Sequence, residues 1–326
     1  MKILVTGGAG YIGSFMVKRL LDDSHNVTVA DSLERGYEKA VDQRATFVKG
    51  DLNNPAFLTD LFSRDTFDAI IHFAGYISVG ESMQNASMYF NNNVSSSIHL
   101  LDEARKHNVT KIVFSSSAAV YGSPVQVPIP EDHQKNPESP YGESKLMFET
   151  ILKWYQKVYQ FNSVSLRYFN ACGAALDGSM GEQHDPETHI IPNAIKAVLN
   201  DRPFTLYGSD YKTPDGTCVR DYIHVLDLVE AHVLALTKLE KDSGSFVYNV
   251  GTGKGFSNKE VIEMVKNVSG KDFSITMADR RPGDADTLVA DPTKITTELQ
   301  FSPKNSDLET IVKSAWQWHQ KMAEQA

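Results

Sequence analysis

Six short runs rich in β-branched residues punctuate the first half of the chain: ILVTG (3–7), NVTVAD (26–31), ATFVKGD (45–51), FDAIIHFAG (67–75), KIVFSSS (111–117) and NSVSLRYFN (162–170). Segments with helical spacing lie between them. Strands buried on both faces by crossover helices read this way, because no solvent face imposes a strict polar alternation. The rhythm predicts an α/β fold, a doubly wound parallel sheet of Rossmann-like type.

From about Ala171 the rhythm loosens into a loop containing glycine, histidine and proline. A helix is expected near IPNAIKAVLN (191–200), a strand at PFTLYG (203–208) and a long turn at SDYKTPDGTCVRDY (209–222). LDLVEAHVLALTKL (226–239) reads as an amphipathic helix and FVYNVG (246–251) as a strand, while Ser257 and Glu260 fit a capping box. The expected division is a dinucleotide-binding domain over 1–170, rejoined by about 221–245, and a second, smaller α/β substrate lobe from the remaining segments of 171–326. A chain of 326 residues is long enough for both.

A formal charge of -9 argues against a general nucleic-acid or anionic-membrane surface, so an anionic ligand must be held by particular residues. Cys172 and Cys218 are too few for a disulfide framework, and neither has a metal-ligand spacing. Met1-Lys2 runs straight into ILVTGG, too short for a signal peptide, and no apolar run approaches membrane-spanning length. The default expectation is cytoplasmic, with no nucleic-acid or membrane partner.

The first predicted strand ends in TGGAGYIG, which sets Gly7, Gly10 and Gly13 in a strand-to-helix turn. Glycines there let backbone N–H groups approach a pyrophosphate at a helix N-terminus, where the helix dipole favours negative charge. Taken alone, the same turn serves to pack helix on sheet. Asp31 ends the second run, where a carboxylate accepts hydrogen bonds from an adenosine ribose and repels a 2'-phosphate. Strand, glycines, helix and acid together predict a dinucleotide site, with NAD favoured over NADP. Asp51 and Leu52 follow the third run and are candidates to edge an adenine. Phe73, Ala74 and Gly75 end the fourth, against the cofactor's middle, and each serves packing equally well. The Asn91–Asn93 run is expected to open the helix before the fifth strand, with Asn93 either capping it or touching the cofactor.

In a doubly wound sheet the carboxyl ends of the strands meet the ligand crevice, so Ser115–Ser117 point to the nicotinamide region. SPYGESK (139–145) then sets Tyr141 and Lys145 on one face of a helix start. A glycine fingerprint, a strand-five serine and Tyr-x-x-x-Lys in that order resemble the short-chain dehydrogenase/reductase superfamily, in its extended branch with a C-terminal substrate lobe. TGGAGYIG, FSSSAAVYG, SPYGESKLMFE, RYFNACG, YGSDYKTPDGTCVRDYIHV and RRPGDAD are together similar to the UDP-glucose 4-epimerases, over essentially the whole chain.

That resemblance implies a catalytic trio of Ser117, Tyr141 and Lys145, with bound NAD recycled through a transient 4-keto sugar. It adds Tyr11, Ile12, Ser115 and Tyr168 to the cofactor set. It assigns Asn170, His189, Ile190, Leu206, Tyr207, Arg220, Tyr222, Arg281, Asp284 and Leu288 to a UDP-sugar. Arg220 paired on the surface with Asp221 is the bland alternative, although guanidinium suits a diphosphate better than ammonium does. His184, Asp185 and His189 match no strong ligand spacing, and no metal is expected. Helices around 84–107 and 146–160 are the pair through which the family dimerises, so a homodimer is expected.

Two departures stand out. The resemblance leads to a lysine where this chain has Ile77, whose absence would loosen cofactor retention. It also leads to a tyrosine, in glucose-restricted relatives, where this chain has Leu288, which would widen the pocket for N-acetylated sugars. The rival readings are a nucleotide-sugar 4,6-dehydratase and an inactive NAD-binding scaffold. The first needs an acid pair where Ala118 and Ala119 stand, and the second is disfavoured by the intact trio.

Overall fold

The computed structural model describes residues 1–280 and 284–324. It divides into two compact units, one formed by Met1–Gly122, Lys135–Arg167 and Val229–Tyr248, the other by Ser123–Gln134, Tyr168–Leu228 and Asn249–Ala326.

The first unit is built on a seven-stranded sheet. Its strands are β1 (Lys2–Thr6), β2 (Asn26–Asp31), β3 (Thr46–Lys49), β4 (Ala69–His72), β5 (Lys111–Ser117), β6 (Asn162–Tyr168) and β10 (Ser245–Val250), in the order β10-β6-β5-β4-β1-β2-β3. Pairings β1·β2, β1·β4, β2·β3 and β4·β5 are parallel. The order turns back between β1 and β4, the topological switch point at which such sheets hold ligands. The helices are α1 (Tyr11–Asp22), α2 (Pro55–Arg64), α3 (Val79–Ser82), α4 (Ala86–Phe90), α5 (Ser96–Lys106) and α6 (Pro140–Tyr159), with the start of β10 preceded by α8 (Val225–Lys241). One sheet face, carrying Leu4, Ile70, Ile112 and Phe114, is sealed by Leu58, Leu61 and Phe62 of α2, Leu100 and Leu101 of α5, and Phe148 and Leu152 of α6. Ile3 and Val5 are fully buried on the other.

The helix before β5 does not open at the asparagines. α4 runs through Phe90 into a π-turn at Asn91–Ser95 and on into α5, so Asn93 lies inside a helical run and is not a cap. A π-turn adds a residue to the helical repeat and turns side chains toward a site, here Asn93. α6 begins within SPYGESK, as expected, because Pro140 suits the first helical position and the Ser139 hydroxyl accepts from the Gly142 N–H at 3.1 Å.

In the second unit, β9 (Val219–His224) is flanked by β11 (Gly255–Ser257), β13 (Thr287–Leu288) and β7 (Asn170–Cys172), and β8 (Phe204–Tyr207) pairs with β12 (Ile275–Ala278). The expected turn over 209–222 therefore ends at Cys218. Arg220, Asp221 and Tyr222 look like loop but are buried in a strand. α7 (Ile190–Leu199), α9 (Asn258–Ser269) and α11 (Leu308–Glu324) share a core of Ile191, Ile195, Val261, Ile262, Ile311 and Val312. Short α10 (Thr293–Leu299) follows β13. The capping box is present: Ser257 Oγ accepts from the Glu260 N–H, and Ser257 N–H donates to Glu260 Oε2 at 2.7 Å. Among the described residues no helix is long and apolar enough to cross a membrane.

Candidate active site

Between β1 and α1 the chain turns at Gly7, whose φ of 74° lies in the left-handed region and where a Cβ would sit 2.5 Å from Ala74 N. At Gly13 a Cβ would meet Gly7 O at 2.2 Å, so α1 presses directly on the turn. Gly10 differs, since its nearest neighbour at that position is Gly7 O at 3.4 Å and it caps α1 with no side-chain hydrogen bond. The first turn of α1, with Tyr11 and Ile12, thus starts from a bare glycine cradle. Asp31 lies beside it: Oδ2 accepts from Ala9 N–H at 3.0 Å and Oδ1 from Leu33 N–H at 2.8 Å. Both the cradle and the acid fit the diphosphate and ribose of a dinucleotide.

Asp51 Oδ1 accepts from Asn53 N–H at 2.8 Å, and Leu52 is buried. The N–H groups of Phe73 and Ala74 both reach Thr6 O, joining the chain after β4 to the end of β1. Asn93 then clamps the loop just past Gly75. Its Oδ1 accepts from Tyr76 N–H at 2.8 Å, and its Nδ2 donates to Tyr76 O and to Ser144 Oγ at 3.0 and 3.1 Å. Asn93 so ties the chain beyond β4 to α6. Ile77, next in that loop, is exposed. Beneath it, His72 pairs with Thr6 Oγ1 at 2.7 Å and Ser97 Oγ at 2.8 Å. Burial, with the Lys145 charge, pushes its pKa down to about 3, so it works as a neutral bridge.

Ser117 ends β5 and Tyr141 opens α6, and the Ser117 side chain acts on the Tyr141 phenol to lower its pKa. Lys145, one turn along α6, is buried; its Nζ donates to Ser115 O at 2.8 Å and lies 5.8 Å from the Tyr141 ring centroid and 5.0 Å from that of Phe114. Burial lowers the Lys145 pKa to about 8. Burial raises that of Tyr141, opposed by the Ser117 hydrogen bond. The pair therefore sits in a dry, cationic setting in which a proton on the phenol is strongly sensitive to added charge.

A second layer is invisible in the motifs. Glu149, one turn beyond Lys145, accepts from Ser116 Oγ at 2.6 Å and from Arg167 Nε and Nη2 at 2.9 and 2.6 Å, while Arg167 Nη1 donates to Tyr121 OH at 2.7 Å. All four residues are buried. The one sequence signal for this layer is a carboxylate on the sheet-facing side of α6. Tyr168, at the end of β6, is buried as well.

In the second unit Arg220 and Tyr222 lie on β9, with Asn170 and Leu288 on strands that pair with it. Arg220 is buried rather than on the surface, and it pairs with Asp284 Oδ1 at 2.5 Å instead of with Asp221. Asp221 serves elsewhere: its carboxylate accepts from the N–H groups of Thr252, Gly253 and Ala290. Tyr211 OH donates to Asp284 Oδ2 at 3.1 Å. Asn170 is in register with Tyr222, and Leu288 with Arg220. Leu206 is buried and Tyr207 exposed on β8, and His189 caps α7 just before Ile190. Arg281 lies outside the described residues.

Residues 3–251 match the family model described as "NAD dependent epimerase/dehydratase family". The chain is 47% identical over 320 residues to a protein of Lactobacillus helveticus named UDP-glucose 4-epimerase, covering 98% of this chain and 97% of that one. It superposes with a TM-score of 0.94 at 36% identity on the UDP-glucose 4-epimerase of Bifidobacterium longum, solved in complex with NAD+ and UDP, covering 98% of each chain. The UDP-Glc/GlcNAc 4-epimerase of Campylobacter jejuni superposes with a TM-score of 0.85 at 41% identity, covering 98% of this chain and 99% of that one. On sequence and fold alike, this chain belongs to the NAD dependent epimerase/dehydratase family.

Proposed function

We infer that the protein is a UDP-glucose 4-epimerase, interconverting UDP-glucose and UDP-galactose through a 4-keto intermediate. The observation that carries the reading is Ser117 at the end of β5 and Tyr141 at the start of α6, with buried Lys145 one helical turn on and bonded to Ser115 O. The names of the relatives at 47 and 36% identity support it.

Gly7, Gly10, Tyr11, Ile12, Gly13 and Asp31 would hold NAD, with Asp51, Leu52, Phe73, Ala74, Gly75, Asn93, Ser115 and Tyr168 as its further contacts. NAD when bound supplies a hydride acceptor and, in its oxidised form, a positive charge. Tyr141 as phenolate takes the proton from the sugar O4, and as phenol returns it. Ser117 hydrogen-bonds the same oxygen and fixes its distance from the phenol. Lys145 lowers the cost of the phenolate through its charge. Arg220, Asp284, Asn170, Tyr222, His189, Ile190, Leu206 and Tyr207, with Arg281, hold the uridine diphosphate while the keto sugar turns over. Return of hydride to the opposite face inverts C4 with no net oxidation.

Residues 118 and 119 are alanines in a 3-10 turn, which leaves a 4,6-elimination without its acid and base. Leu288 supports acceptance of N-acetylated substrates: it is aligned with Arg220 and is smaller than a tyrosine, and the Campylobacter jejuni relative is named for both sugars. A homodimer belongs to the same proposal. Met147, Trp154 and Val158 of α6 fall on one helical face and are 39, 60 and 59% exposed, an apolar stripe suited to pairing with its own copy. So does a cytoplasmic location, which suits two cysteines, Cys172 and Cys218, that form no disulfide.

Purified protein incubated with UDP-glucose and no added NAD tests the reading, with C4 inversion followed by proton NMR. Inversion is expected, from cofactor that co-purifies despite Ile77. Inversion only on adding NAD would mean weak retention, and none even then would favour the scaffold.

A further inference from the structure

We propose that Glu182, His184, Glu187 and His189 form a structural site for one divalent transition-metal ion, zinc by its donor set. The expectation of no metal weighed only His184, Asp185 and His189. The fold brings in two glutamates and leaves Asp185 out. One donor atom from each of the four lies within 4.8 Å of all the others.

The two carboxylates are buried, and the His184 and His189 side chains, 21 and 45% exposed, complete the cluster. His184 Nδ1 is 3.0 Å from Glu182 Oε1 and 3.8 Å from Glu187 Oε1, and His189 Nδ1 bonds the same Glu182 oxygen. Both glutamate side chains are only 4% exposed. Glu187 Oε1 accepts from the N–H groups of Thr188 and His189 at 2.9 and 3.0 Å, which fixes the carboxylate plane. Glu187 Oε2 is buried with no hydrogen-bond partner among the described residues, and Lys196 Nζ, 39% exposed, forms only an ion pair with it at 3.6 Å. The backbone is held from behind: Trp318 Nε1 donates to Glu182 O at 3.0 Å, and a Cβ at Gly181 would strike the Trp318 ring at 2.3 Å.

Two buried carboxylates require compensation. A divalent ion matches their combined charge and takes two neutral imidazoles as its other donors. Four protein donors of N2O2 type suit tetrahedral zinc, and a filled tetrahedron leaves no open position for substrate or water, which makes the site structural. Donors in such a tetrahedron are about 3.3 Å apart, so the widest-spaced donors must close by up to about 1.5 Å while Glu182 Oε1 moves away from the two imidazoles. The bound ion would cross-link the loop over 182–189 to the start of α7. The inference takes the His189 imidazole for the ion and leaves only its backbone to the uridine diphosphate, and the competing account is an ion-pair cluster of two imidazolium rings and two carboxylates.

The test uses the untagged full-length protein with its co-purified cofactor, dialysed against chelator and titrated with zinc by calorimetry. Cobalt(II) substitution, read in the visible, reports the geometry. One zinc per chain is expected, weakened more than about tenfold in Glu187→Gln and in His184→Asn. The cobalt form should show the intense bands of tetrahedral coordination. Zinc binding no tighter in the wild type than in Glu187→Gln, or a cobalt spectrum like that of the hydrated ion, would overturn the site and leave the ion-pair cluster. Glu187→Gln keeps size and backbone contacts and answers the question if His184→Asn does not fold. Failure of sugar inversion with intact zinc binding would count against the epimerase reading alone.

Discussion

Replacing Lys145 by methionine should make the cofactor-free protein more stable at neutral pH while removing its activity. The ammonium is 3% exposed, donates only to Ser115 O, and among the described residues no carboxylate pairs with it. Burial lowers its pKa from 10.5 to about 8. A tenfold change in proton affinity is worth ~1.4 kcal/mol, so the folded chain carries about 3 kcal/mol of desolvation at pH 7. Methionine removes that cost but leaves the Ser115 carbonyl without its donor, about 1 kcal/mol. The variant should gain about 2 kcal/mol at pH 7.

The sign against pH is set by where protons bind. Between about 8 and 10.5 the unfolded wild-type chain holds more protons at this residue than the folded one, so wild-type stability rises with pH through that window. Methionine has no such dependence. Urea unfolding of both proteins at pH 7 and near 10.5 should show the gap closing by about 3 kcal/mol and reversing. A variant less stable than wild type at pH 7, or a gap independent of pH, would refute the burial argument and with it the account of how Lys145 is poised.

Glu149→Gln should lower stability by about 3 kcal/mol in thermal or urea unfolding, because it leaves the buried Arg167 guanidinium without its counter-charge; adding Arg167→Met should recover most of that loss. Leu288→Tyr should reduce turnover of UDP-N-acetylglucosamine at least about tenfold relative to UDP-glucose, as measured by kcat/KM for the two sugars. Unchanged discrimination would retire the open-pocket reading.

The features legible in the sequence are those that local spacing encodes. The glycine turn, Asp31, and the Ser117, Tyr141 and Lys145 order each depend on one strand end or one helical turn, so short motifs carry them. Features set by tertiary contact are not legible. Asn93 looks like a helix start because asparagine favours caps, yet a π-turn places it inside the run, where it clamps Tyr76 to Ser144. The stretch VRDY looks like loop because its polar side chains find buried partners, Asp284 for Arg220 and three backbone N–H groups for Asp221. Glu149 and Arg167 lie 18 residues apart on different elements, and no local period announces their pairing. Glu182 and Glu187 have no motif spacing to the two histidines, and only the loop's path brings the four together.

The central claim is that Tyr141 carries the O4 proton. The most direct measurement is C4 inversion of UDP-glucose by Tyr141→Phe, with bound NAD quantified in the same preparation. The account predicts full NAD occupancy, an unchanged fold and turnover reduced about 10²- to 10⁴-fold, the range of a lost acid/base group. Turnover within about threefold of wild type, with NAD retained, would contradict it and assign the proton to another residue.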